Sequence, residues 1–330
     1  MTDRLQPARG ASRLVSDQGA DDSVLPFSVE PLDVRGRVVR LGASVDHILA
    51  RHAYPAPVAQ LVGEALALTV LLGSSLKIDG RFQLQARGDG AVDMLVVDFD
   101  APDRLRAFAR YDLAKLSGAT EGRDLLGSGH LAFTVDQGHD GSRYQGIVAL
   151  EGQGLQQAAD QYFRKSEQIP TRVRLAVAQS VTARGFSWRA GGLMVQFLPS
   201  VSEARRLIDL HPGDAPAGLQ FDAAAEDDAE DDAWLEAKAL AATIEDHELV
   251  DPTLSSERLL YRLFHEPGVK VFEPKPVRDA CRCSDEGVRA MLRGFSASER
   301  GEMVGDDGMI GVTCEFCSTF RAFDPKDFEA

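Results

Sequence analysis

The chain has 330 residues, 44% of them hydrophobic, enough to bury a sizeable core and to divide into more than one domain. Its formal net charge of −15 argues against a nucleic-acid partner, because phosphate recognition depends on clustered Lys and Arg. The four cysteines all lie beyond position 280, which points to a reducing compartment, the cytoplasm, and away from a secreted disulfide scaffold.

Residues 1–24 are polar, with Gly10, Ser12, Ser16, Gly19 and Asp21-Asp22-Ser23, and lack the apolar core of a signal peptide. They are expected to form a disordered tail. From 25 to 200 the pattern alternates between strands and helices. Val38–Leu41 reads as extended, and Val45–Arg51 and Val58–Leu72 as helical. The apolar stretch Val58–Leu76 is interrupted by Glu64, so it is expected to be a buried helix and not a membrane span. Phe82, Leu84 and Ala86 alternate with polar residues, Gly88-Asp89-Gly90 supplies a turn, and Met94–Phe99 continues the ladder as a hairpin. A second pair follows at Leu131–Val135 and Tyr144–Leu150, separated by Gly138-His139-Asp140-Gly141. A helix beginning near Leu155 presents Leu155, Ala158, Ala159, Tyr162 and Phe163 on one face and ends before Pro170. Strands at Val173–Val177 and Leu193–Leu198 complete an α+β domain with a large, mostly antiparallel sheet.

Residues 201–270 change to helical periodicity, at Leu207–Leu210, Trp234–Ile244 and Leu259, Leu260, Leu263 and Phe264, and are read as a helical linker. The acidic block Glu226–Asp232 within it is most simply a solvated loop. Residues 271–330 carry the cysteines. Ser284 is placed to cap a helix with Val288, Met291 and Leu292, Ser296 and Glu299 have capping-box spacing, and Met309–Thr313 leads as a strand into the last cysteine pair. So small a core would be marginal without a metal.

The cysteines are arranged as Cys281-Arg282-Cys283, thirty residues, then Cys314-Glu315-Phe316-Cys317. Two short knuckles brought together by a folded excursion supply four thiolates to one tetrahedral zinc. A purely structural zinc ribbon and a redox switch are both open on this pattern, since zinc-held thiolates are oxidisable. The CxxC alone suits a thiol–disulfide oxidoreductase, but it does not sit at the strand-to-helix junction of an N-terminal βαβ unit. A zinc hydrolase would keep an open coordination position, and the seven histidines show no HExxH spacing. His47 and His52 are an i,i+5 pair, and His265 reads as a packed or capping residue. Tyr162, Phe163 and Trp234 read as core or docking residues, with a role on an exposed apolar surface left open. No Walker A pattern is present, so no dependence on ATP is expected, and no catalytic residue is assigned.

The order of motifs resembles the bacterial redox-regulated holdase chaperones, the heat-shock family of about thirty-three kilodaltons. The resemblance rests on Arg143-Tyr144-Gln145-Gly146, Leu150-Glu151-Gly152, Tyr162-Phe163 with Ser166-Glu167-Gln168 and Pro170-Thr171-Arg172, Ala190-Gly191-Gly192, Tyr261-Arg262-Leu263-Phe264-His265-Glu266, and the terminal CxC and CxxC. It implies one zinc per reduced chain on Cys281, Cys283, Cys314 and Cys317, and, on oxidation, disulfides Cys281–Cys283 and Cys314–Cys317 with zinc release. It further implies unfolded client proteins as partners, bound without ATP, and a homodimer in the oxidised state. The polar N-terminal extension and the insertion around 222–232 depart from the family pattern.

Overall fold

The computed structural model describes residues 21–76, 80–116, 125–137, 143–182, 185–198 and 231–328. The tail before Asp21, the turn at 138–141, the periodic stretch Leu207–Leu210 and the acidic residues 226–230 lie outside the described residues.

The N-terminal domain opens with β1 (Ser23–Val29), β2 (Val34–Leu41), α1 (Ala43–Ala50) and α2 (Ala56–Gly73). It continues through β3 (Arg81–Gly88), β4 (Val92–Asp100), β5 (Arg104–Tyr111), the short α3 (Leu113–Leu116), β6 (Ser128–Asp136), β7 (Arg143–Glu151) and α4 (Leu155–Tyr162). The long hairpin of β8 (Thr171–Thr182) and β9 (Gly185–Phe197) completes it. The class is α+β, with the strands divided between two six-stranded sheets. The reason lies in α2, whose residues are buried nearly all round and which packs on strands of both sheets. A helix apolar on every side must be covered on every side. It is long and apolar enough to cross a membrane, yet 78% of it is buried inside the fold.

Strands β1 and β5 were not legible as strands. Pro26 in β1 cannot donate to a ladder, although its carbonyl accepts from the Phe272 amide at 2.9 Å. In β5, Arg106 is buried among apolar neighbours and breaks the period of two. The residues just before β1, assigned by sequence to the tail, also have structural roles. Asp22 Oδ1 accepts from the Gly42 and Ser44 amides at 2.9 and 3.1 Å at the start of α1, and Asp21 receives Arg189.

The linker forms α5 (Asp232–Ala242), α6 (Asp246–Val250) and α7 (Ser256–Phe264). They cover the face of the first sheet that α2 leaves free. Trp234, Leu249, Leu259, Leu260, Leu263 and Phe264 share one core with Leu25, Phe27, Val38, Val195 and Phe197. Phe264 lies 5.7 Å from Phe27, and Trp234 6.0 Å from Phe197. The end of the acidic block is not merely solvated, because Asp231 caps α5 by accepting from the Ala233 amide at 2.8 Å.

Polar contacts fasten α6. Arg40, 1% exposed, donates to the carbonyls of Asp251 and Glu248 at 2.8 Å each, and Arg189 donates to Val250 at 2.7 Å. Cations thus complete the carbonyl end of the helix. The Ala190-Gly191-Gly192 motif has its reason here, since a Cβ on Gly191 would collide with the Leu249 carbonyl.

Beyond the linker, β10 (Lys270–Val271) and β11 (Lys275–Pro276) pair with β1, and β12 (Arg278–Asp279) pairs in parallel with β5. The segment after 270 is therefore stitched to both N-terminal sheets before the cysteines begin. The terminal module holds α8 (Asp285–Arg293), α9 (Ala297–Glu302), β13 (Ile310–Thr313) and β14 (Phe320–Phe323) around a separate small core of Leu292, Ile310, Phe323 and Phe328. Ser284 caps α8, and Ser296 with Glu299 forms the capping box of α9.

Candidate metal centre

Backbone pairing places the first knuckle. β12 lies along β5, and the Ala280 amide donates to the Leu105 carbonyl at 3.1 Å, so Cys281 leaves the edge of the second N-terminal sheet. Cys283 precedes the cap of α8. The second knuckle is the turn joining β13 to β14, closed by Ser318 N–H to the Cys314 carbonyl at 2.8 Å and Cys314 N–H to Thr319 at 3.0 Å.

The four sulfurs all lie within 4.8 Å of one another, half-buried, with no disulfide among them. Cys281 and Cys314 are 3.8 Å apart, and Cys283 and Cys317 3.4 Å. A tetrahedron with zinc–sulfur bonds of about 2.3 Å has an edge of about 3.8 Å, so the set fits zinc. Among the described residues this is the one such group of His, Cys, Asp or Glu. His265 stands apart, at the end of α7 with its ring 5.5 Å from Tyr261.

The protonation of the sulfurs also suits a cation. Burial, joined by hydrogen bonds from the other three sulfurs, pushes the Cys283 thiol up to about 12, and burial raises Cys314 too. At Cys317 burial acts in the same sense. There the hydroxyl and amide of Thr319, with Cys283 and Cys314, outweigh it and bring the thiol down to about 6. Protons crowded onto neighbouring sulfurs are what a divalent cation displaces.

The N-terminal domain reaches the cluster directly. The Arg106 guanidinium donates to Asp98 through Nε at 2.9 Å, lies 4.0 Å from the centre of the Phe316 ring and points Nη1 at the Cys281 sulfur from 3.7 Å. Gln83 donates to the other oxygen of Asp98 at 2.7 Å. His52, just past α1, donates from Nε2 to the Phe316 carbonyl at 3.2 Å and stacks on Tyr54. Arg51 pairs with Asp279, and Arg104 donates to the Cys281 carbonyl at 3.3 Å. The cysteines announce themselves by spacing. Arg106, Asp98, His52 and Phe316 do not, because their role depends on how the strands stack.

Tyr162, Phe163 and Trp234 are all buried, in keeping with the reading of them as core or docking residues. Tyr162 and Phe163 sit in the central core, and Trp234 on the linker face.

Residues 22–324 match the family described as Hsp33 protein. A 33 kDa chaperonin of Caulobacter vibrioides is 46% identical over 311 residues, covering 92% of this chain and 95% of that protein. The 33 kDa chaperonins of Pseudomonas aeruginosa and Ectopseudomonas mendocina are 38% and 35% identical over 302 residues, each covering 91% of this chain and 91% and 92% of their own lengths. The crystal structure of the 33 kDa chaperonin from Thermotoga maritima superposes with a TM-score of 0.71 over 93% of this chain and 97% of that one, at 20% identity, and shows the shared fold. On the family match and these relatives, the chain belongs to the Hsp33 family, whose members are chaperones and not enzymes.

Proposed function

We propose that this chain is a redox-regulated, ATP-independent holdase that captures unfolding proteins under oxidative stress. The carrying observation is the convergence of Cys281, Cys283, Cys314 and Cys317 within 4.8 Å, in a module whose own core is four side chains. When bound to these sulfurs, zinc supplies the positive charge that keeps them as thiolates and contributes roughly 10 kcal/mol or more to folding of the module.

A peroxide is the oxidant class that suits thiolates of this kind. Cys281 joins Cys283 and Cys314 joins Cys317, the pairing that the family resemblance implies. Each disulfide takes one hydrogen peroxide. Two thiolates give up two electrons, the O–O bond breaks, and two protons from solvent complete the two waters that leave. The sulfurs then no longer act as thiolate ligands, and a core of Leu292, Ile310, Phe323 and Phe328 is too small to stay folded alone.

Loss of the module removes the partner of Arg106 and His52 and loosens the strands β10–β12 that follow the linker. The linker helices are next in the chain, and their hold on the first sheet weakens. Their apolar face, with Leu259, Leu260, Leu263 and Phe264, becomes available together with the sheet face it covered. Clients bind there by burial of apolar area, which requires no sequence readout.

Zinc content and suppression of client aggregation, measured before and after peroxide treatment, test this reading. Zinc loss accompanied by gain of suppression supports it. A protein that keeps its metal, or loses it without gaining suppression, contradicts it and leaves a structural zinc ribbon.

A further inference from the structure

Two motifs distant from the cysteines, Tyr144–Gly146 and Tyr162–Glu167, build one cavity that the switch does not use. The cavity measures about 390 Å³ and lies between the end of α2, the inner face of the second sheet and the π-helix Phe163–Glu167 that follows α4. Its walls are the aromatic rings of Phe82, Phe133, Tyr144, Tyr162 and Phe163. Phe133 and Tyr162 are 4.8 Å apart, and Tyr162 and Phe163 meet edge to face at 5.4 Å. Gly146 is required for this packing, because a Cβ there would collide with the Tyr162 ring.

One carboxylate serves the cavity. Oε1 of Glu167 accepts from the Tyr144 hydroxyl at 3.2 Å and from the Tyr162 hydroxyl, while Oε2 has no hydrogen bond among the described residues. Burial first, and the Glu167 bond second, keep the Tyr162 phenol protonated well above its ordinary range, so it remains a donor. Leu72 and Ser75, at the C-terminal end of the 18-residue α2, also line the cavity. A carboxylate, a helix C-terminus and several aromatic faces all favour a positive charge, and the apolar walls favour a hydrocarbon stem beneath it. Tyr144 is 53% exposed at the rim, and Ile147 farther along β7 is 59% exposed. β7 is the outermost strand of its sheet, and no described strand pairs with its outer edge. An unpaired edge accepts an extended segment.

We propose that this cavity is a client subsite that takes the side chain of a lysine or arginine carried on an extended apolar segment laid beside β7. The inference rests on the holdase reading and adds a chemical preference to it. Among the described residues nothing closes the subsite. It therefore binds short segments before oxidation, and the released linker face adds the area that holds whole clients.

The test uses reduced, zinc-loaded protein and two labelled peptides of alternating valine and threonine, one with a central lysine and one with norleucine in its place. Anisotropy is expected to show the lysine peptide binding about tenfold tighter, and Glu167→Gln to abolish that preference while zinc content and unfolding temperature stay unchanged. A photoreactive residue beside the lysine should crosslink wild-type protein at Leu76, Tyr144 or Phe163, which keeps the test decisive if the variant folds poorly. Equal or absent binding of the two peptides, a preference that survives in a folded Glu167→Gln protein, or crosslinks confined to the linker face would overturn the subsite. Suppression of aggregation by oxidised wild-type protein, measured in parallel, separates the two ideas. It persists if only the subsite is wrong and is absent if the holdase reading is wrong.

Discussion

Nη1 of Arg106, on a strand of the N-terminal domain, lies 3.7 Å from the sulfur of Cys281 in the terminal module. The same guanidinium covers Phe316 between the second pair of cysteines and is held by Asp98, whose side chain is 1% exposed. One planar cation thus touches both knuckles while anchored to a buried carboxylate. Replacing Arg106 with Gln leaves that carboxylate with Gln83 as its nearest donor. The expected loss is about 2–4 kcal/mol, at or below the usual cost of breaking a buried pair because Gln83 and the Arg81 cation, 3.8 Å from Asp98, remain. Calorimetry should show a lower unfolding temperature for the N-terminal domain, and a chelator should extract zinc faster. Unchanged values for both would mean that the contact is incidental.

Replacing Cys283 with Ser should weaken zinc binding by about 100-fold or more, because a hydroxyl is a poor substitute for a thiolate. The small terminal core should then melt while the two N-terminal sheets remain folded, since the cores are separate. Metal titration with circular dichroism checks both parts. Collapse of the whole chain would show that the sheets depend on the module.

The contribution of His52 to stability should depend on pH. Burial lowers the His52 pKa below its ordinary 6.5 and Arg51 adds to this, although the Phe316 bond opposes the shift. The folded state therefore binds the proton more weakly than the unfolded one. Its contribution is fully present above pH 6.5 and is lost as pH falls through the lowered value. Thermal unfolding should show stability falling in that window, and His52→Gln should remove that part of the dependence. Identical pH profiles for the wild-type and His52→Gln proteins would exclude a role for His52.

Much of this arrangement was readable from sequence because the signals were local. The hairpins, the amphipathic α7, the caps Ser284 and Ser296 and the cysteine spacing each depend on a few neighbouring residues. The division into two sheets was not readable, because it follows from α2 needing cover on both sides. The anchors Arg40 and Arg106 look like surface residues in sequence. Their partners, the carbonyl end of α6 and Asp98 with Cys281, are adjacent only after the strands pair.

Leu263 is 3% exposed on the linker face. Substitution by Asp puts an unpaired charge there at a cost of roughly 3 kcal/mol or more, enough to populate the released linker. The variant should suppress client aggregation under reducing conditions while retaining zinc. A folded, zinc-loaded and inactive variant would contradict linker release as the activating event.

If the state of four sulfurs governs helices packed on a distant sheet, hydrogen exchange should record it. Reduced, zinc-loaded protein should protect α5 and α7, and peroxide treatment should raise exchange over residues 232–242 and 256–264 while β2 and β9 stay protected. Aggregation suppression should appear as that protection is lost. If exchange rises only within residues 281–328 and the linker helices remain protected, the cysteines are a local structural clamp and do not govern the linker.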